Sequence, residues 1–170
     1  MLIQTYYEPI TWKPGKNIVP YKLLGKEEAH KQGLLHLSAH LLIQDEGRFC
    51  VRKRGLDELR YSSLLTTTLA THVLPGDNYL QSLQKLLTPN FELEWIGEFR
   101  VKDEFENEIN GLYLARNIEI NYLEESFFQN RSFLDLEEIL LEISQDKTTP
   151  HLKKAIKLLN QIKSLRRKNG

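Results

Sequence analysis

The sequence predicts an α+β domain, a layered α/β/α arrangement around a mixed β-sheet. Three observations carry that reading. Short runs rich in Leu, Ile, Val and Thr recur from residue 34 onward, separated by Gly, Pro and Asp turn signals. One helix-like segment, Tyr79 to Leu87, interrupts them, and after Asp135 the apolar spacing changes from that of strands to that of helices. The third is size: 170 residues without an internal repeat fit a single domain.

In chain order, residues 1–20 carry Pro9, Pro14, Gly15 and Pro20 among aromatic residues, which favours an N-terminal extended arm or short strand. The core is expected over residues 21–162, with 163–170 as a basic tail. A short polar segment, Tyr21 to Gly33, leads into a strand over Leu34 to Ile43. Asp45, Glu46 and Gly47 make a turn, and Arg48 to Arg54 completes a hairpin. A third strand is expected over Leu64 to Val73, then a loop at Pro75 and Gly76. In the helix that follows, Asp77 or Asn78 can cap the start, Leu80, Leu83 and Leu87 form the buried stripe, and Pro89 stops it. Two more strands fit Leu93 to Lys102 and Ile109 to Glu119, joined by a charged connection at Asp103 to Glu108. Asp135 then starts a helix with Leu136, Ile139, Leu140 and Ile143 inward, and Thr149-Pro150 starts another with Leu152, Ile156, Leu159 and Ile162 inward.

Composition narrows the function. Lys plus Arg and Asp plus Glu balance at 23 each, which argues against a nucleic-acid or membrane-surface protein driven by net charge. Cys50 is the single cysteine and sits in an apolar run, so it reads as an inert buried thiol and excludes an internal disulfide. No apolar run is long enough to cross a bilayer and no signal peptide opens the chain, so a cytoplasmic protein is expected.

Two sets of residues resemble a known family. THVLPGDNYLQSLQKLLTPNF, Thr71 to Phe91, keeps the order of the signature of the Nudix hydrolases with its acids replaced. The signature glycine falls on Thr71, its first glutamate on Asp77, its Arg-Glu pair on Lys85 and Leu86, and its closing glutamates on Pro89 and Asn90. KEEAHKQGLLH at Lys26, RKRG at Arg52, ATHVLPGD at Ala70, ENE at Glu106 and KTTPHLKKAIKLL near the end resemble the isopentenyl diphosphate isomerase-like branch in the same order.

The resemblance implies the Nudix fold and a divalent metal site, Mg, Mn or Zn, at His30, His36, His72, Glu106 and Glu108. Glu106 and Glu108 share a side if that segment is extended, so both could reach one ion. It also implies diphosphate-binding roles for Lys26 and Arg54, with Asp77 or Glu108 as the candidate catalytic base. The isomerase's catalytic cysteine falls on Ala70, which cannot move a proton, so isomerisation is not expected. The expected ligand is a small diphosphate-containing compound, and a homodimer is left open. Two functions follow: a metal-dependent diphosphate hydrolase whose ordinary activity is weak or absent, or a non-catalytic ligand- or protein-binding module on the same scaffold.

Overall fold

The computed structural model describes residues 1–87, 91–116 and 125–170. In chain order its elements are β1 (Leu2–Tyr6), β2 (Pro20–Gly25), α1 (Lys26–Lys31), β3 (Leu35–Asp45), β4 (Arg48–Lys53), β5 (Leu65–Thr66), β6 (Leu69–His72), α2 (Tyr79–Gln84), β7 (Glu94–Lys102), β8 (Asn107–Arg116), a 3-10 turn (Glu125–Phe128), β9 (Arg131–Leu134), α3 (Leu136–Ser144) and α4 (Pro150–Lys168).

The long strand β3 organises the sheet. Along one edge it pairs antiparallel with β1 at Leu35 and His36, with β6 from Ser38 to Leu41, and with β4 from Ile43 to Asp45. Along the other edge β8 runs parallel to it from His36 to Gln44. β7 extends the sheet beyond β8, β2 lies outside β1, and β5 and β9 flank β4. The sheet is therefore mixed, as expected.

Alternation along β3 sends its residues to two layers. Ala39, Leu41 and Ile43 pack with Leu83 and Leu87, on and just beyond α2. Leu42, with Leu112 and Leu114 of β8, faces Ile139 of α3 and Leu152, Ile156 and Leu159 of α4. Helices thus cover both faces. His36, Ser38 and His40 precede Leu42 on the α4 side, where the layer turns from apolar to polar.

The helix starts follow the sequence. Asn78 and Gln81 form a reciprocal capping box, as do Asp135 and Glu138, and Thr149 caps α4 with Pro150 in its first turn. α1 ends in a Schellman turn: Leu34 N donates to Ala29 O and Gly33 N to His30 O, with Gly33 at φ +61°. That turn folds the chain back so that His30 and His36 meet.

The structure redraws several boundaries. The strand expected over Leu64 to Val73 is two pieces, because Thr67 and Thr68 leave the ladder and use their hydroxyls instead. Thr68 Oγ1 accepts from Ile43 N at 2.9 Å and donates to Cys50 O, while Thr67 Oγ1 bonds the His40 ring at 2.8 Å. Glu108 belongs to β8 and not to the charged connection before it. Leu140 is 44% exposed and so leaves the inward stripe of α3. The helix after Asn78 ends at Gln84, before the expected stop at Pro89. Residues 88–90 and 117–124, which include Pro89, Asn90 and the end of the last expected strand, lie outside the described residues. The N-terminal stretch supplies β1, set between β2 and β3 with Ile3 and Thr5 buried. No helix among the described residues is long and apolar enough to cross a membrane.

Candidate metal centre

All five histidines of the chain gather on the α4 side of β3 and β8. His36, Ser38 and His40 come from alternate positions of β3, His72 from the end of β6, His30 from α1 and His151 from the first turn of α4. The parallel register sets Glu108 beside His36, which brings a carboxylate into the middle of the group.

Hydrogen bonds fix which ring atoms face inward. His30 Nδ1 lies 2.9 Å from Lys26 O and His36 Nδ1 lies 2.8 Å from Leu34 O. A carbonyl only accepts, so both Nδ1 atoms carry the proton and both Nε2 atoms turn to the centre. Ser38 gives its single hydroxyl proton to Glu108 Oε1 at 3.0 Å and therefore accepts from His72 Nδ1 at 3.0 Å. The three rings of His30, His36 and His72 form a triangle with centroids 4.6 to 5.1 Å apart.

Glu106 closes this group from the loop side. Its Oε2 stands 3.0 Å from His30 Nε2 and 3.9 Å from His36 Nε2, and Oε1 stands 3.4 Å from Arg60 Nε. The short His30 to Glu106 approach lacks hydrogen-bond geometry: both atoms are buried without a hydrogen-bond partner. Two facing lone-pair atoms repel unless a cation lies between them. Ligand atoms about 2.0–2.2 Å from one ion stand roughly 3 Å from each other. The donor set therefore fits a divalent cation, and Oε1 of Glu108, 3.0 Å from His36 Nε2, adds a further ligand.

Burial pulls the His72 and His40 imidazoles down to about 3, which keeps both rings neutral as metal ligands must be. Burial also opposes charge on His36, and its bond to Glu108 outweighs that, leaving it above its ordinary value. Burial pushes the Glu108 carboxyl up, but bonds from His151 at 2.8 Å and from His36 hold it well below the usual carboxylate range. An ionised carboxylate thus sits at the heart of the cluster.

Beside the cluster lies a cavity of about 610 Å³ with His40, His72, Glu106, Glu108 and His151 in its wall. Its rim is basic: Lys26, Arg52, Arg54, Arg60 and Arg131 line it. Arg52 and Arg54 share Glu58, at 3.1 Å each, and Arg54 Nε donates to Arg60 O at 2.9 Å. Lys26 has no ion-pair partner among the described residues. The sequence-predicted Lys26, Arg54, His30, His36, His72, Glu106 and Glu108 are therefore brought together. Glu108 is 3% exposed, so the charged connection expected over Asp103 to Glu108 ends in a buried carboxylate.

Asp77 is not brought there. It pairs with Lys85 Nζ at 2.6 Å beside α2, and α2 packs on the far face of the sheet, where the Tyr79 ring covers Gly111. Sequence reasoning did not place Ser38, His40, His151, Asn110 or Arg60 at the site. The alternation His36-Ser38-His40 was the available signal for the strand residues. Nothing local marks His151, which reaches the site only because α4 begins there.

No protein-family model matches the sequence, and no curated protein matches it. Solved structures do. DR0079 from Deinococcus radiodurans superposes with TM-score 0.65 at 10% identity, over 92% of this chain and 98% of that one. A Nudix hydrolase from Nitrosomonas europaea gives 0.55 at 10% identity, over 74% and 88% of the two chains. The MutT protein from Methanosarcina mazei Go1 gives 0.58 at 12% identity, over 76% and 95%. The fold is that of the Nudix hydrolases. On this Nudix fold the histidine and glutamate group occupies one face of β3 and β8, while α2 lies on the other and carries no acid from Tyr79 to Gln84.

Proposed function

We propose that this Nudix-fold chain binds a divalent cation at His30, His36, His72, Glu106 and Glu108 and a small diphosphate compound in the cavity beside it, with the ordinary Nudix diphosphatase reaction impaired. The observation that carries the reading is the His30 Nε2 to Glu106 Oε2 approach, 3.0 Å without a hydrogen bond. The impairment is supported by α2, which offers no carboxylate and turns away from the histidines.

A divalent ion held there would polarise a phosphoryl oxygen and acidify a bound water. The chain's own residues do the rest. Lys26, Arg54 and Arg60 hold phosphate oxygens, Arg by its forked donors and Lys as a point charge. Glu108 is the candidate base that lines the cavity, whereas Asp77 is held by Lys85 on the other side. Ala70, which lines the cavity opposite His40, supplies no proton for an isomerase-type step. A binding module without turnover is the second reading, favoured by the same bare α2.

Thermal melts of chelator-treated protein with and without Mn2+ or Zn2+ test the metal site. A saturating ion at a hundredfold its Kd adds about 2.7 kcal/mol, or about 5–11 °C for a domain of this size. His36→Ala should lose that rise; an equal rise in both proteins, or none in either, refutes the site. Incubating the loaded protein with nucleoside and prenyl diphosphates then separates the enzyme from the binding module.

A further inference from the structure

Glu108 has two oxygens, and the cluster described above uses one. Its Oε1 faces His36, Ser38 and His72, while Oε2 turns the other way, to His151 Nε2 at 2.8 Å. On that side His40, His151 and Glu108 each offer a ligand atom, all within 4.8 Å of one another, and all three residues are buried. His151 stacks on His40 with centroids 5.0 Å apart and planes 14° from parallel.

The surroundings are prepared for a cation. Asn110, two residues along β8 from Glu108 and on the same face, is fully buried, and its Oδ1 has no hydrogen-bond partner. Thr67 Oγ1 holds the His40 ring through Nδ1 at 2.8 Å, which leaves Nε2 as the ring's other ligand atom. Ligand atoms of His40, His151 and Glu108 thus gather beside a buried amide oxygen of Asn110 that has no partner. The 2.8 Å between His151 Nε2 and Glu108 Oε2 is close to the roughly 3 Å between neighbouring ligands of one ion.

We propose a second divalent-cation site at His40, His151 and Glu108 Oε2, with Asn110 Oδ1 as the added oxygen, so that Glu108 bridges a dinuclear centre. It rests on the metal reading of the first group, because a bridge needs both ends. Charge decides when the second ion enters. Two divalent ions bring four positive charges against the two carboxylates of Glu106 and Glu108, beside a rim that already holds Arg54 and Arg60. The deficit requires an anion. A diphosphate group in the cavity supplies it, and paired ions clamping phosphoryl oxygens are the arrangement two-metal phosphoryl sites use. Occupancy of the second site is thus coupled to diphosphate, and diphosphate binding to it by the same factor.

Mn2+ titration with and without methylenediphosphonate, a non-hydrolysable diphosphate, tests this by stoichiometry and by electron paramagnetic resonance. The wild-type chain should bind one ion tightly alone and two with the diphosphonate, the second giving an exchange-coupled Mn pair signal. His151→Gln should keep the first ion and its stabilisation, lose the pair signal, and weaken diphosphonate binding at least tenfold in the presence of Mn2+. His40→Asn, read the same way, guards against a folding defect in either variant. A single ion under both conditions, or a pair signal that survives both substitutions, overturns the second site while leaving the first intact. No bound ion in any condition overturns the first site, and the bridge with it.

Discussion

Gly111→Ala probes whether α2 is packing material and not a site. Gly111 lies on the α2 face of β8, and a Cβ built there would stand 2.5 Å from Cγ of Tyr79 and 2.6 to 2.8 Å from both Cδ atoms. Comfortable carbon contacts are about 3.5–4.0 Å. The ring would have to retreat by about 1 Å or more, and it is stacked against Trp95 at 5.8 Å, which in turn meets Tyr113 at 5.1 Å. The conflict is steric, since this glycine does not occupy the left-handed region. Overpacking of this kind costs about 1–3 kcal/mol, which at about 2–4 °C per kcal/mol lowers Tm by about 2–12 °C. Circular dichroism melts measure it, and Tyr79→Ala supplies the control, because removing the ring removes the clash. In that background Gly111→Ala should cost almost nothing. The metal-induced rise in Tm should be the same as in wild type, since the histidines lie across the sheet. An equal loss in both backgrounds would refute the packing argument, and a lost metal response would refute the separation of the two faces.

Two further outcomes follow from other parts of the molecule. Burial raises the Glu8 carboxyl, but bonds with Asn107, Arg100 and Lys102 bring it down to about 2. A depressed carboxyl contributes stability above its unfolded value that is lost as pH falls toward the folded one. Glu8→Gln should therefore be less stable than wild type at pH 7, by at most about 1 kcal/mol for so exposed a group, and equal to it near pH 2; a gap that persists at pH 2 in denaturant titrations contradicts the bonding. Leu152 is fully buried where α4 meets the sheet. Leu152→Ala should cost about 2–5 kcal/mol, and an unchanged denaturation midpoint would show that this helix does not close the layer.

The sheet and the terminal helices were legible because each rests on local chemistry. The β3 to β4 turn at Glu46-Gly47, the Asp135 and Thr149 caps and the Leu152-Ile156-Leu159 stripe all lie within a few residues of what they specify. The break at Thr67-Thr68 was not legible, because it depends on partners at Ile43 and Cys50 that only the folded sheet supplies. The same division runs through the site. His30, His36, His72, Glu106 and Glu108 were grouped through resemblance, and composition set Glu108 in a charged connection because acidic neighbours at Asp103, Glu104 and Glu106 surround it. Register with β3, and not local charge, buries it. His151 stands 43 residues from Glu108 in sequence, a separation that no spacing rule reads.

The placement of Glu108 carries an energetic argument of its own. A buried carboxylate survives only if donors replace its water, and here Ser38 and two imidazoles do so. Each of those imidazole partners must carry a proton on the atom facing Glu108, while His40 and His72 are held neutral by burial. In the absence of a cation the cluster thus relies on protons to keep its carboxylates apart from bare lone pairs, and at His30 and Glu106 that arrangement is not satisfied. A fold seeking stability alone would fill such a layer with residues like Leu42, Leu112 and Leu114, which continue the same face. Five histidines and two glutamates there cost stability that apolar packing would have kept, and the metal dependence of Tm measures whether a bound ion returns it.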